Sequence, residues 1–418
     1  MPSTRGLSSA TSRPLARLLP ALAVVALLAL ALVIRLRFFP HESPDYVHYL
    51  SRWWGHLDRE GFAGLGVVFA DYAPPYLYLL YLGTLAPVGP LLGIKLISLA
   101  GDVLLAGSVF LLASRFVGRR WAALAAAGML LAPGVVLNSA AWGQCDAIYT
   151  SFLVLSVLAL TRERDAWAWV FFGMALAVKL QAVFLLPALG VVWLVRVRRS
   201  WWTPVLAPLV IAASWAPCLL AGRPLSSLLD VYRSQASSGL PLSYAPNVWY
   251  LVPRPPTPVA MTQWEHRALL VALVVVGGVC LLSLVVRRPW TPQRVVVLAA
   301  FSTLAVPTFL PHMRERYMYP GEILVLVAAL ALGRSRWWMP VLLFACSGLV
   351  YLDQLYPARL HRVIPGDVFL LGIEPVLAVV AVLAWDLVGR RRQDRPRERR
   401  QDRRQDMSAL DTMSRAGA

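Results

Sequence analysis

The sequence predicts an all-α integral membrane protein, a polytopic bundle of about twelve transmembrane helices with outer juxtamembrane helices, and three observations carry that prediction. Hydrophobic residues make up 58% of the 418-residue chain and charged residues only 15%. Polar residues this scarce cannot cover a water-soluble surface. Apolar runs long enough for a hydrocarbon layer of about 30 Å recur along the chain. The connectors between them alternate between basic and non-basic, as membrane topology requires. This composition excludes an ordinary cytosolic enzyme, a disordered chain and a small disulfide-stapled domain. A nucleic-acid binder could share the net charge of +18, but not with sixteen tryptophans and long apolar runs. Cys145, Cys218, Cys280 and Cys346 are scattered, with neither metal-ligand spacing nor a disulfide framework.

The first run, about 15–34, exceeds a signal-peptide core and is flanked by Arg35 and Arg37, so it reads as an uncleaved first helix. Others follow at about 93–114, 121–137, 144–160, 166–180, 182–195, 203–221, 267–286, 294–310, 318–333, 338–352 and 367–388. The Pro-bounded piece 74–85 is shorter. Arginines settle its status. If it does not span, the connectors carrying Arg115, Arg119, Arg120, Arg162, Arg164, Arg196, Arg198, Arg199, Arg287, Arg288, Arg294, Arg334 and Arg336 share one side with both termini. If it spans, they are split. The positive-inside rule therefore predicts twelve spans with both ends in the cytoplasm. The expected organisation is a cytoplasmic N-terminus (1–14), a transmembrane domain (15–388) and a disordered basic cytoplasmic tail (389–418) that can touch anionic membrane lipid. Two large outer segments remain: about 38–92, locally acidic, and about 222–265, rich in Pro, Ser and Tyr.

Ionisable groups inside or against apolar spans are costly unless paired or used. On this topology they gather at the outer face. Lys95 and Asp102 lie in the second helix; Asn138, Trp142, Gln144 and Asp146 at the turn after the third; Lys179 and Gln181 at the turn after the fifth. His312, Arg314, Glu315 and Arg316 lie at the turn after the ninth, and Asp45, Asp71 and Tyr72 in the first outer loop. Convergence on one face marks a site. A transport pathway instead puts polar groups near the midplane on broken, repeated helices. A multi-pass transporter or flippase of a lipid-linked or anionic substrate is nevertheless the competing class.

Ser43-Pro44-Asp45-Tyr46 opens a short amphipathic helix, with Ser43 as cap and Pro44 at the first helical position. Val47, Leu50, Trp54 and Leu57 form its apolar stripe, while Asp45, Tyr49, Arg52 and His56 face a cavity. Asp45 is a candidate general base; ordinary helix punctuation is the plain alternative. His312, Arg314 and Arg316 suit a phosphate, or else anchor the chain among lipid headgroups. Lys179 suits a ligand phosphate or an Asp partner. Asp146 and Gln144 could be that partner or accept from sugar hydroxyls. Asp102 reads as structural, pairing with another helix, and Asp71 and Tyr72 shape the loop or bind substrate.

Five segments, in order, resemble the membrane-embedded GT-C glycosyltransferases that use polyprenyl-phosphate sugars: PDYVHYLSRWW (44–54), DYAPPYLYLL (71–80), APGVVLNSAAWGQCDAIY (132–149), FGMALAVKLQAVFLLP (172–187) and PHMRERYMYP (311–320). They resemble in particular the dolichyl-phosphate-glucose glucosyltransferases and bacterial relatives of the second mannosyltransferase of GPI-anchor assembly. The resemblance implies an inverting transfer of mannose or glucose from a polyprenyl-phosphate donor to a lipid or glycan acceptor, at the extracytoplasmic face of a bacterial plasma membrane. It makes Asp45 the catalytic base. It places His312, Arg314, Glu315 and Arg316 near the donor phosphate and Asp71 and Tyr72 at the acceptor side; from their own chemistry Lys179 joins the donor-phosphate candidates, and Gln144, Asp146, Gln181 and Glu315 those that bind or orient substrate. Arg314 stands where relatives have a second histidine and Arg316 where they have lysine, so positive charge is kept. Guanidinium groups supply that charge directly, and the implied chemistry needs no metal or other cofactor.

Overall fold

The computed structural model describes residues 12–236, 243–253, 257–286, 288–364 and 366–389. The expected terminal segments 1–14 and 389–418 lie outside them, apart from 12–14 and 389. Helix α1 (Ser12–Phe38) is followed by a π-helical turn (Tyr46–Leu50), α2 (Ser51–Glu60), α3 (Pro74–Thr84) and α4 (Pro90–Ala113). Ser43 caps the turn, its hydroxyl oxygen accepting from the Tyr46 amide at 3.2 Å. The expected amphipathic helix is present, but its phase is shifted. The π-turn inserts an extra residue, so Val47 is turned outward and exposed. Trp53 is turned in beside Leu50, Trp54 and Leu57. Trp54 seats α2 on the α3–α4 pair, its ring occupying the space that a Cβ at Gly83 or Gly93 would need.

The third apolar run is broken. α5 (Arg119–Met129) stops, Pro133 opens α6 (Pro133–Val136), and the chain bends by 59° before a second π-turn, Leu137–Trp142. There follow α7 (Asp146–Thr161), α8 (Asp165–Val178), α9 (Leu186–Ser200), α10 (Leu206–Ser214) and α11 (Ala216–Leu220). The segment expected as a loop over 222–265 carries α12 (Leu225–Ala236), β1 (Ser243–Tyr244) and the start of α13 (Pro258–Ala272). α13 begins before the apolar run does because Thr257 caps it, accepting from the Ala260 amide at 3.2 Å. A third π-turn joins it to α14 (Gly278–Val285). Then come α15 (Pro292–Phe309), β2 (Met313–Arg314), α16 (Tyr319–Leu332), α17 (Trp338–Leu355), α18 (Pro357–Leu360) and α19 (Val368–Val388). β1 and β2 pair in parallel, Ser243 opposite Met313 and Tyr244 opposite Arg314.

Every apolar run of the sequence meets a helix, but not every helix is long enough to span. Among the described residues eight are long and apolar enough to cross a membrane, or nine if the bent pair is one span. The expected twelve is not reached because α7, α8 and α16 have only 16, 14 and 14 residues, against about 20 for a hydrocarbon core. All three are short at one face of the bundle. α7 starts at Asp146, α8 stops at Val178 and α16 starts at Tyr319, which leaves Gln144, Lys179 and Arg316 outside the α-helices. Irregular backbone near a membrane is tolerated where it lines a cavity.

α7, α15 and α16 make the buried centre. Lipid tails are as apolar as leucine, so contact between such helices is stabilised by close packing and buried polar links rather than by escape from water. Gly321 of α16 permits that closeness: a Cβ there would stand 2.9 Å from Leu304 Cα. The main polar link joins α1 to α4, where Arg35 and Asp102 pair at 2.8 Å with both side chains buried. Leaving one such charge unpaired costs about 3–5 kcal/mol. Asp102 is thus a structural partner across helices, and Arg35 is what it holds.

Candidate active site

The site is built on the π-turn Leu137–Trp142, which three side chains pin in place. Lys95 Nζ donates to the Ala141 carbonyl at 2.6 Å. Ser43 Oγ donates to the Trp142 carbonyl at 2.7 Å. Ser139 Oγ donates to Asp102 at 2.6 Å. Gly143, with φ of +78°, then reverses the chain in a conformation that glycine adopts without strain. Gln144 emerges from this reversal. Its Nε2 donates to Asp45 Oδ2 at 2.6 Å, and its Oε1 accepts from the Tyr72 hydroxyl at 3.3 Å. Residues from three distant stretches therefore meet in one hydrogen-bonded chain.

They line a cavity of about 370 Å³ whose walls include Asp45, Asp71, Tyr72, Gln144, Lys179, Gln181, Arg314 and Arg316. Tyr49, Trp53, Ser234 and Tyr317 also contribute. Tyr49 was legible as part of the polar face of the first outer helix. Trp53 was hidden by the π-turn, and Ser234 by lying on α12, where no apolar run marks a helix. Arg314 reaches the cavity from β2, held in place by β1.

Each charge is compensated differently. Lys179 stands on extended backbone where α8 stops, and its Nζ pairs with Asp146 Oδ1 at 2.5 Å. Asn138 donates to the other Asp146 oxygen at 2.7 Å. The Lys179 ammonium also lies 5.9 Å from the Tyr72 ring centre and 5.7 Å from that of Tyr149. Arg316 contacts Glu315 at 3.0 Å and Asp45 at 3.7 Å, with its guanidinium carbon 5.5 Å from the Trp142 ring centre. Burial works against its charge, yet Glu315 and Asp45 hold its pKa well above the ordinary guanidinium value. Among the described residues no carboxylate pairs with Arg314. Burial pushes the Tyr72 phenol well above its ordinary range, so it stays protonated and can donate.

Three of the expected site residues do not line the cavity. Asp146 and Glu315 stand behind it, as counter-ions to Lys179 and Arg316. His312 is turned away: its backbone has φ of +60° and its Nε2 lies 3.0 Å from Glu265 Oε1, a residue of α13. The tight reversal at His312 separates it from Arg314 and Arg316. Spacing along the chain could not show this, because Glu265 lies far from 312 in sequence. Among the described residues no group of three or more His, Cys, Asp or Glu is arranged to hold a metal ion.

No curated protein matches the chain. Among solved structures it is similar to ArnT from Cupriavidus metallidurans, determined with undecaprenyl phosphate bound, at a TM-score of 0.52 and 18% sequence identity. The likeness covers 88% of this chain and 77% of that one, and it establishes a common fold. The sequence profile of glycosyltransferase family 87 matches residues 69–311, which takes in the Asp71-Tyr72 loop, the π-turn and Lys179. With a helical bundle of GT-C type and more than half of its length matched to that profile, the chain belongs to glycosyltransferase family 87 and is a membrane-embedded glycosyltransferase.

Proposed function

We propose that this enzyme transfers a hexose, mannose or glucose, with inversion from a polyprenyl-phosphate donor to an acceptor hydroxyl at the extracytoplasmic face of a bacterial plasma membrane, with both its own termini in the cytoplasm. The observation that carries the reading is one cavity holding two carboxylates, Asp45 and Asp71, beside three cations, Arg314, Arg316 and Lys179. A lipid-phosphate sugar brings its own leaving group, so the reaction needs a proton acceptor on one side of the anomeric carbon and fixed positive charge on the other. Asp45 offers the first. Both of its contacts, from Gln144 and Arg316, fall on Oδ2, and Oδ1 accepts no hydrogen bond among the described residues.

In the step itself the acceptor oxygen attacks the anomeric carbon from the face opposite the phosphate. Its proton passes to Asp45 Oδ1, and the bond from the anomeric carbon to the phosphate oxygen breaks with its electron pair on that oxygen. Arg314, Arg316 and Lys179 receive the developing dianion. The fold shared with ArnT, which was solved with undecaprenyl phosphate, supports a polyprenyl-phosphate donor here. A cleft of about 640 Å³ between α2 and α12 continues from the cavity through Tyr49, Trp53, Asp71 and Ser234. Its aromatic and polar walls suit the hydroxyl-bearing end of a lipid or glycan acceptor.

Reconstitution tests this. Purified protein in vesicles with a membrane extract as acceptor source is expected to move label from polyprenyl-phosphate mannose or polyprenyl-phosphate glucose into a new product. Nucleotide sugars should give none. Transfer from a nucleotide sugar with no lipid-linked donor present would remove the proposal.

A further inference from the structure

We infer that Gln144 is a positioning residue for the base: held by the Tyr72 hydroxyl, its amide fixes the Asp45 carboxylate through Oδ2 and leaves Oδ1 to receive the acceptor proton. This rests on the reading of Asp45 given above.

Three observations support it. Gln144 is buried, so both ends of its carboxamide need partners. Tyr72 supplies a donor to Oε1 and Asp45 an acceptor to Nε2. The arrangement has a direction. Rotating the amide would set its oxygen against the Asp45 carboxylate, an acceptor-only group, whereas the Tyr72 hydroxyl can serve either orientation. Second, the 2.6 Å contact from Gln144 is the short one at Asp45, whereas Arg316 stands at 3.7 Å and is closer to Glu315. Without Gln144 the carboxylate, whose side chain is 26% exposed, is free to rotate towards the guanidinium. Third, the two loops are tied independently by Ser43 Oγ on the Trp142 carbonyl at 2.7 Å. Replacing Gln144 therefore alters the orientation of the carboxylate and not the meeting of the loops.

The test uses reconstituted full-length protein and radiolabelled polyprenyl-phosphate hexose. Gln144→Glu keeps the size of the side chain but sets an acceptor against Asp45, and Gln144→Leu removes the amide. Both are expected to lower kcat by about 10- to 100-fold, the scale of a misplaced reacting group. Donor KM should stay within about twofold, because uniform binding is untouched. Tyr72→Phe should reduce kcat in the same sense and less. In an Asp45→Asn background Gln144→Leu should cause no further loss, since a residue acting through Asp45 has nothing left to position. A raised KM with unchanged kcat, or full additivity with Asp45→Asn, overturns the inference and makes Gln144 a substrate ligand or a packing residue. An inactive Asp45→Asn beside a fully active Gln144→Glu overturns the inference alone. Normal turnover by Asp45→Asn overturns it together with the assignment of the base.

Discussion

Asp45→Asn is expected to lower sugar transfer by about 10²- to 10⁴-fold, the usual contribution of a positioned general base. The substitution is close to isosteric. Asparagine can still accept from Gln144 Nε2 through its amide oxygen, so the chain from Tyr72 through Gln144 survives. Only the ability to take up a proton is lost. Donor affinity and melting temperature should therefore remain near those of the parent, because Asp45 is a partly exposed side chain and Arg316 keeps Glu315 as its closer partner. Steady-state transfer with radiolabelled donor and a thermal melt in detergent check both halves. Near-normal turnover would show that some other group takes the acceptor proton.

Neutralising Arg314 and Arg316 together should weaken binding of the lipid-phosphate donor by about 10²-fold or more, from two charge-assisted contacts worth roughly 1.5–3 kcal/mol each. Acceptor binding should change far less. The double variant carries a structural risk, because Glu315 is almost wholly buried and would lose its cation. Arg314→Gln alone avoids that risk. Among the described residues Arg314 has no carboxylate partner, so its removal strands no buried charge, and about a tenfold loss of donor affinity is expected from it. Binding of polyprenyl phosphate to the purified protein measures this without any acceptor. Unchanged donor affinity in both variants would remove the arginines from the donor site and leave Arg316 as a counter-ion to Glu315.

Much of this architecture could be read before any coordinates, for a physical reason. Burial in lipid forces long apolar runs, and each run at 15–34 through 367–388 meets a helix. The expense of a charge beside such a run likewise singled out Asp45, Lys179, Arg314 and Arg316, which meet in one cavity. What stayed hidden depends on geometry that leaves no local pattern. A π-turn changes phase by one residue without any composition signal, which moved Val47 out and Trp53 in. The count of twelve is not confirmed where α7, α8 and α16 give up their ends near the cavity, since apolar composition continues after the helix has stopped. Two-residue strands have no periodicity, so the bond between β1 and β2 was illegible. His312 looked like part of the arginine cluster because neighbours in sequence are neighbours in space only when the backbone is regular, and at φ of +60° it is not. The partners of Asp102 and His312, Arg35 and Glu265, are equally beyond local inference.

The proposed function needs a proton acceptor and phosphate-binding cations that line one cavity open to the cell exterior. Single-cysteine reporters measure that arrangement. Cys145, Cys218 and Cys280 are buried, so Cys346→Ser gives a quiet background. In that background Tyr49→Cys and Arg314→Cys should both react with a membrane-impermeant maleimide added to intact cells. Polyprenyl phosphate should protect both in vesicles. Reaction of the two positions from opposite sides of the membrane would contradict the account at its centre.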